Sequence, residues 1–190
     1  MKHLKPEDYV VTDWSGGKTI QLAIAPEGAI YADRDFLWRL SSATVDLEES
    51  DFTPLPDYHR WIAPLDGEMI LTHNGGEDVV LQPFETHFFD GADETHSRGK
   101  CTDFNLMLRK EKCKGEICSI RFDDTTSRVL HFDESTGTVI LYCVTGSAAV
   151  TAGETVTLAP KESLFLDDGF SSLSIEAAPG TVLMMAEIKK

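Results

Sequence analysis

Two arginines define the chemistry open to this chain. Arg39 lies in the alternating run Phe36-Leu37-Trp38-Arg39-Leu40-Ser41-Ser42-Ala43-Thr44-Val45, and Arg60 follows Tyr58-His59. Each carries a planar fork of N–H donors that matches a carboxylate bidentately. Successive side chains on a strand point to opposite faces. Arg39, Ser41, Ala43 and Val45 therefore share one face, with Trp38 and Leu40 on the other. The run Asp103-Phe104-Asn105-Leu106-Met107-Leu108-Arg109 also alternates, with Phe104, Leu106 and Leu108 apolar and Asp103, Asn105 and Met107 opposite. These polar faces suit the lining of a small anion site. Arg39 and Arg60 would neutralise a carboxylate, and Ser41, Asn105 and Thr19 would orient it by hydrogen bonds. Three readings stay open beside it. Asp103 can form a buried ion pair with Arg39 that closes the cavity without a ligand. His59 with Asp103 or Tyr58 can act as the acid and base of a metal-free isomerase or epimerase. Trp14 and Trp38 can pack a core or lid, or stack on a ligand.

The elements that must position these residues are strands. Gly76–Asp90 reads GEDVVLQPFETHFFD and Gly153–Asp167 reads GETVTLAPKESLFLD, identical at eight of fifteen positions and 77 residues apart. Each copy is a Gly-Glu turn, an alternating stretch, a proline corner and a second alternating stretch, as antiparallel β structure needs. A period this long exceeds a solenoid or propeller unit. The sequence thus predicts an all-β protein of two similar β-domains, residues 1–110 and 111–190, with the boundary at Glu111–Lys114. The first would hold the ligand site and the second would be mainly structural. Strand alternation begins at Thr19–Ile24 and stops at Pro26-Glu27-Gly28; no long amphipathic helix is expected.

Composition excludes other classes. The net charge of −15 argues against nucleic acid and against anionic membrane surfaces, because no basic stripe exists to neutralise phosphates. No apolar run approaches the roughly 20 residues of a membrane-spanning helix, and the opening residues lack the apolar core of a signal peptide. A cytoplasmic location is expected. The four cysteines have no framework spacing and are expected to be reduced, partly buried thiols. Gly16-Gly17-Lys18-Thr19 is not a phosphate loop, since Thr12 stands where the first glycine is required and a strand follows. A homodimer through an exposed strand edge is the expected route to any self-association.

A repeated β unit with a glycine turn and a later proline corner resembles the cupin jelly roll. The metal-binding form of that pattern fails here. With Gly67 as the turn glycine, Arg60 stands at the glutamate ligand position and Phe88 at the last histidine, and in the second copy Val139 and Phe165 do so. No metal or other cofactor is predicted, although His73 and His87 could pair outside the pattern.

Five segments in order then resemble the HutD/Ves family: Trp14-Ser15-Gly16-Gly17-Lys18-Thr19, Phe36-Leu37-Trp38-Arg39-Leu40-Ser41, Phe52-Thr53-Pro54-Leu55-Pro56-Asp57-Tyr58-His59-Arg60, Leu65-Asp66-Gly67 and Asp103-Phe104-Asn105-Leu106-Met107. The resemblance implies a bicupin, two jelly-roll-like β-barrels in tandem. It also implies a role in regulating histidine utilisation through a small pathway metabolite. Ser15 stands where the family usually has Asn, in an opening loop that is shorter here. On this reading Arg39, Ser41, Arg60, Asn105, Asp103, Thr19, Trp14 and His59 are the candidate ligand-binding residues.

Overall fold

The structure, a computed structural model, describes residues 1–123, 126–167 and 169–189. The described chain is built from strands, with two short 3-10 turns at Pro6–Asp8 and Tyr31–Asp33. It divides into two compact units, Tyr9–Lys114 and a second made of Met1–Asp8 with Gly115–Lys190. The sequence placed the first eight residues in the amino-terminal domain. They join the carboxy-terminal unit instead, because the first strand, β1 (Lys2–Leu4), pairs antiparallel with Ser163–Phe165.

In the amino-terminal unit the strands are β2 (Val10–Trp14), β3 (Gly17–Ala25), β4 (Trp38–Val45), β5 (Glu49–Asp51) and β6 (Tyr58–Asp66). They continue as β7 (Met69–His73), β8 (Asp78–Leu81), β9 (His87–Asp90), β10 (Thr95–Arg98) and β11 (Cys101–Arg109). One sheet runs β2-β3-β4-β11-β6-β9 and the other β5-β10-β7-β8. Strand β11 lies between β4 and β6, which places the two alternating runs singled out above side by side. Val45, Ile62, Met69, Leu71, Leu81, Phe89 and Cys101 form a buried cluster in this unit. Phe36, Leu55, Tyr58 and Met107 form another.

The alternation read from Thr19 missed β2. All five residues of Val10–Trp14 are exposed, so burial imposes no apolar–polar period on them. The strand is held by pairing with β3 through a two-residue loop, Ser15-Gly16, with Trp14 opposite Gly17. Gly17 has φ +149° and lies so close to Thr44 that a Cβ there would sit 2.0 Å from the Thr44 carbonyl oxygen. Only glycine fits that approach.

The carboxy-terminal unit adds β12 (Lys114–Phe122), β13 (Ser127–His131), β14 (Thr136–Thr145), β15 (Ala148–Ala152), β16 (Glu154–Leu158), β17 (Ser163–Asp167), β18 (Ser172–Ala177) and β19 (Thr181–Lys189). Its sheets run β1-β17-β14-β19-β12 and β13-β18-β15-β16. The order β9-β6-β11-β4 is thus repeated as β17-β14-β19-β12, and β5-β10-β7-β8 as β13-β18-β15-β16. The sequence repeat covers β8–β9 and β16–β17. Its proline corner leaves the next residue left-handed in both copies, Phe84 and Lys161 each at φ +72°.

The units differ where chemistry could reside. The β2–β3 hairpin extends the amino-terminal sheet beyond β4, whereas the matching sheet ends at β12. Val139, Leu183 and Met185 occupy the positions of Arg60, Asp103 and Asn105 and are part of an apolar core.

Candidate functional site

A cavity of about 760 Å³ opens in the amino-terminal unit. Its floor is the inner face of β4, β11 and β6, with Arg39, Ser41, Asp103, Asn105 and Arg60 among the floor residues. The hairpin supplies Trp14, Thr19 and Gln21 to one wall, the segment around Tyr31 another, and Phe52 with Thr53 a third.

Arg60 is only 6% exposed, yet its guanidinium makes no hydrogen bond or ion pair among the described residues. It is held instead by rings, 4.7 Å from the centroid of Phe52 and 5.2 Å from that of Phe89. Burial pushes its pKa down to about 10. Loss of water, with no acceptor in exchange, disfavours the cation.

Arg39 is better supported. Its Nε donates to Gln21 Oε1 at 2.8 Å and its Nη1 to Ser41 Oγ at 3.1 Å, and the guanidinium lies 4.3 Å from the Tyr31 centroid. Burial lowers its pKa as well. Among the described residues no carboxylate forms an ion pair with either arginine, so the Arg39–Asp103 bridge considered from sequence is not made. The two cations keep capacity for a guest anion.

Asp103 is buried, and its Oδ1 accepts the Ala43 N–H at 3.0 Å. Burial raises its pKa to about 6, against the lowering effect of that hydrogen bond and of the Arg60 and Arg39 charges. Asn105 is buried on the same face, and its Oδ1 has no hydrogen-bond partner among the described residues. Asp51, which also borders the cavity, is turned to His96 at 2.8 Å.

Seven of the eight candidate residues from the sequence thus border one cavity. The exception is His59. It neighbours Arg60 along β6, so its side chain takes the opposite face, where its ring lies 5.2 Å from Phe88. Tyr58, the other proposed acid–base group, is also committed elsewhere. Its hydroxyl lies 2.9 Å from the Phe36 carbonyl oxygen and 3.0 Å from that of Arg34, and accepts from Arg109 Nη2 at 3.0 Å. The structure therefore does not bring the proposed acid–base pair together at the cavity.

Sequence reading missed Gln21, Tyr31 and Phe52. Gln21 was within reach, because it shares a strand with Thr19 two residues away and so the same face. Tyr31 and Phe52 lie in a 3-10 turn and a connection, where no period marks direction.

His73 and His87 do meet, Nε2 to Nε2 at 2.9 Å, while His73 Nδ1 lies 2.9 Å from Thr95 Oγ1. Thr95 Oγ1 donates to the Asp93 carbonyl, so it accepts from His73 Nδ1, and His87 Nε2 must donate to His73 Nε2. Burial lowers both imidazole pKa values. Among the described residues no three His, Cys, Asp or Glu side chains are grouped to hold a metal ion. The four cysteines are free thiols, and burial pushes Cys101 up to about 12 and Cys143 to about 11. No helix of the described residues is long and apolar enough to cross a membrane.

Comparison with known proteins places this chain in a family. The HutD family model matches residues 6–184. Protein Ves of Cronobacter sakazakii is 28% identical over 156 residues, 79% of this chain and 80% of that protein. Among solved structures, HutD from Pseudomonas fluorescens SBW25 (formate condition) superposes with a TM-score of 0.80 at 25% identity, covering 99% of this chain and 97% of that one. A cupin 2 conserved barrel domain protein from Leptotrichia buccalis gives a TM-score of 0.56 at 10% identity, over 99% and 95% of the two chains. At that identity the likeness is one of fold: a cupin-type all-β architecture.

Proposed function

The chain belongs to the HutD family, and from that premise we propose that it binds a small carboxylate metabolite in the cavity of its amino-terminal unit. The scaffold on this reading is a bicupin, and the arginine pair supplies the positive charge with no metal. The biological role is regulatory, in histidine utilisation, as the family resemblance implies.

One observation carries the reading: Arg60, a buried guanidinium with no acceptor among the described residues. A desolvated, unpaired charge is costly, and an arriving anion would offset that cost. Arg39 flanks the same cavity with two of its N–H groups engaged and others free, so a carboxylate has two cations to lean on. The protein's overall charge of −15 opposes long-range capture of an anion. Attraction must therefore be local, inside a region where screening by salt is weak.

The test is calorimetry and thermal shift with urocanate and N-formylglutamate. A ligand at a hundredfold excess over its Kd adds about 2.7 kcal/mol to folding stability, enough to raise the melting temperature by several degrees. Binding should vanish in Arg60→Ala. Unchanged affinity in that variant removes the arginine from the site and the reading with it.

A further inference from the structure

The arginines account for an anion at one level of the cavity, but the remaining polar groups on its floor ask for something else. Asp103 and Asn105 stand two residues apart on β11 and both face the cavity. Asp103 Oδ1 is occupied by the Ala43 N–H; Oδ2 has no donor among the described residues. The Asn105 Oδ1 has no donor there either. Two buried side chains thus present unclaimed acceptor atoms to the same cavity that holds the unclaimed arginine.

Strand register orders them. Arg39 and Arg60 lie opposite Met107, Ser41 and Ile62 opposite Asn105, and Ala43 and Pro64 opposite Asp103. Each step of two residues along β11 is about 7 Å. Arg39 leans toward its neighbour's level, since its Nη1 bonds Ser41. The cations and the Asp103 carboxylate are thus anchored at separate levels along the floor. Ser41 and Asn105 stand at the level between them, while Ile24 and Met107 flank the arginine end and Val45 lies beyond Asp103.

We propose that the cavity selects carboxylates that also carry an N–H or O–H donor, with the carboxylate on Arg39 and Arg60 and the donor on Asp103 and Asn105. This rests on the carboxylate reading above and names its ligand class. A ligand without a donor would leave the second Asp103 oxygen unpaired in the filled cavity, a penalty that separates such analogues strongly. Simple aliphatic and aryl acids are thereby disfavoured. Acylamino acids, hydroxyaryl acids and azole-bearing acids are favoured.

The experiment compares matched probes by calorimetry near pH 8, where Asp103 is ionised. N-acetylglycine is set against acetoxyacetate, which replaces N–H by O. 3-(Imidazol-4-yl)propanoate is set against 3-phenylpropanoate, which keeps the arm and a planar ring without the donor. The donor-bearing member should bind roughly tenfold or more tightly in each pair. In Asp103→Asn, which can still accept from Ala43 but turns an N–H toward the ligand, that preference should collapse. The melting curve of the free variant reports whether it folds. Equal affinities within both pairs, or a preference unchanged in folded Asp103→Asn, overturn the inference and leave the carboxylate reading intact. Absence of binding by all four acids overturns both.

Discussion

Arg39 and Arg60 are both cross-strand neighbours of Met107, one from β4 and one from β6. The backbones of the two arginines thus flank one methionine on a three-strand floor, and the Arg39 charge adds to the lowering of the Arg60 pKa. Like charges so placed repel, and each is desolvated besides. In the free protein that arrangement costs stability, and an anion between them would relieve it.

Replacing Arg60 with methionine keeps an unbranched side chain between Phe52 and Phe89 and removes the bare charge. The unliganded Arg60→Met protein should be more stable than wild type by about 1–3 kcal/mol, as when buried charges give way to apolar groups. Chemical denaturation without ligand checks this. A loss of stability would mean that the rings over the guanidinium hold it better than an acceptor would.

Asp103 gives a pH signature. Its folded pKa is raised to about 6, so the native state keeps a proton that the unfolded chain has released between about pH 4 and 6. Stability should fall as pH rises through that window, by up to about 3 kcal/mol. Asp103→Asn should lack this fall. Urea unfolding at both ends of the window, for both proteins, reads the difference directly; equal falls would show that Asp103 titrates normally.

The two facing imidazoles act in the opposite sense. Burial holds His73 and His87 below the ordinary value, with the Arg60 charge adding to it at His73 and Asp93 opposing. Their neutral pair supports the fold above about pH 6.5, and that support is lost as pH falls through the lowered values. Melting temperatures from about pH 7 down to about pH 5 should drop further for wild type than for His87→Gln.

Gly17→Ala tests the hairpin. The new methyl group would meet the Thr44 carbonyl at 2.0 Å on a backbone of φ +149°. Both the clash and the conformation disfavour it, at about 2 kcal/mol or more. Carboxylate binding should weaken with it, because Trp14, Thr19 and Gln21 would lose their placement.

Much of this was legible in the sequence because alternation carries direction. Arg39, Ser41, Ala43 and Val45 were assigned one face and all border the cavity; the same holds for Asp103, Asn105 and Met107. His59 was misjudged against that very rule, since a residue next to Arg60 on a strand must point away from it. Val10–Trp14 gave no signal because none of its side chains is buried. Tyr31 stands on a 3-10 turn and was invisible for a different reason: its position depends on the turn's geometry and not on any period. The pairing of Lys2–Leu4 with Ser163–Phe165 is a contact far apart in sequence, and three residues are too few to announce a partner.

Strand β2 is stationed beside the cavity yet owes nothing to the hydrophobic interior: Val10 is 60% exposed and Val11 53%. Peeling it from β3 would break one ladder of hydrogen bonds while leaving the buried clusters untouched, so it belongs to the least protected part of the fold. Its backbone amides should accordingly exchange with solvent faster than those of the β4, β11 and β6 floor, through fraying that is independent of global unfolding.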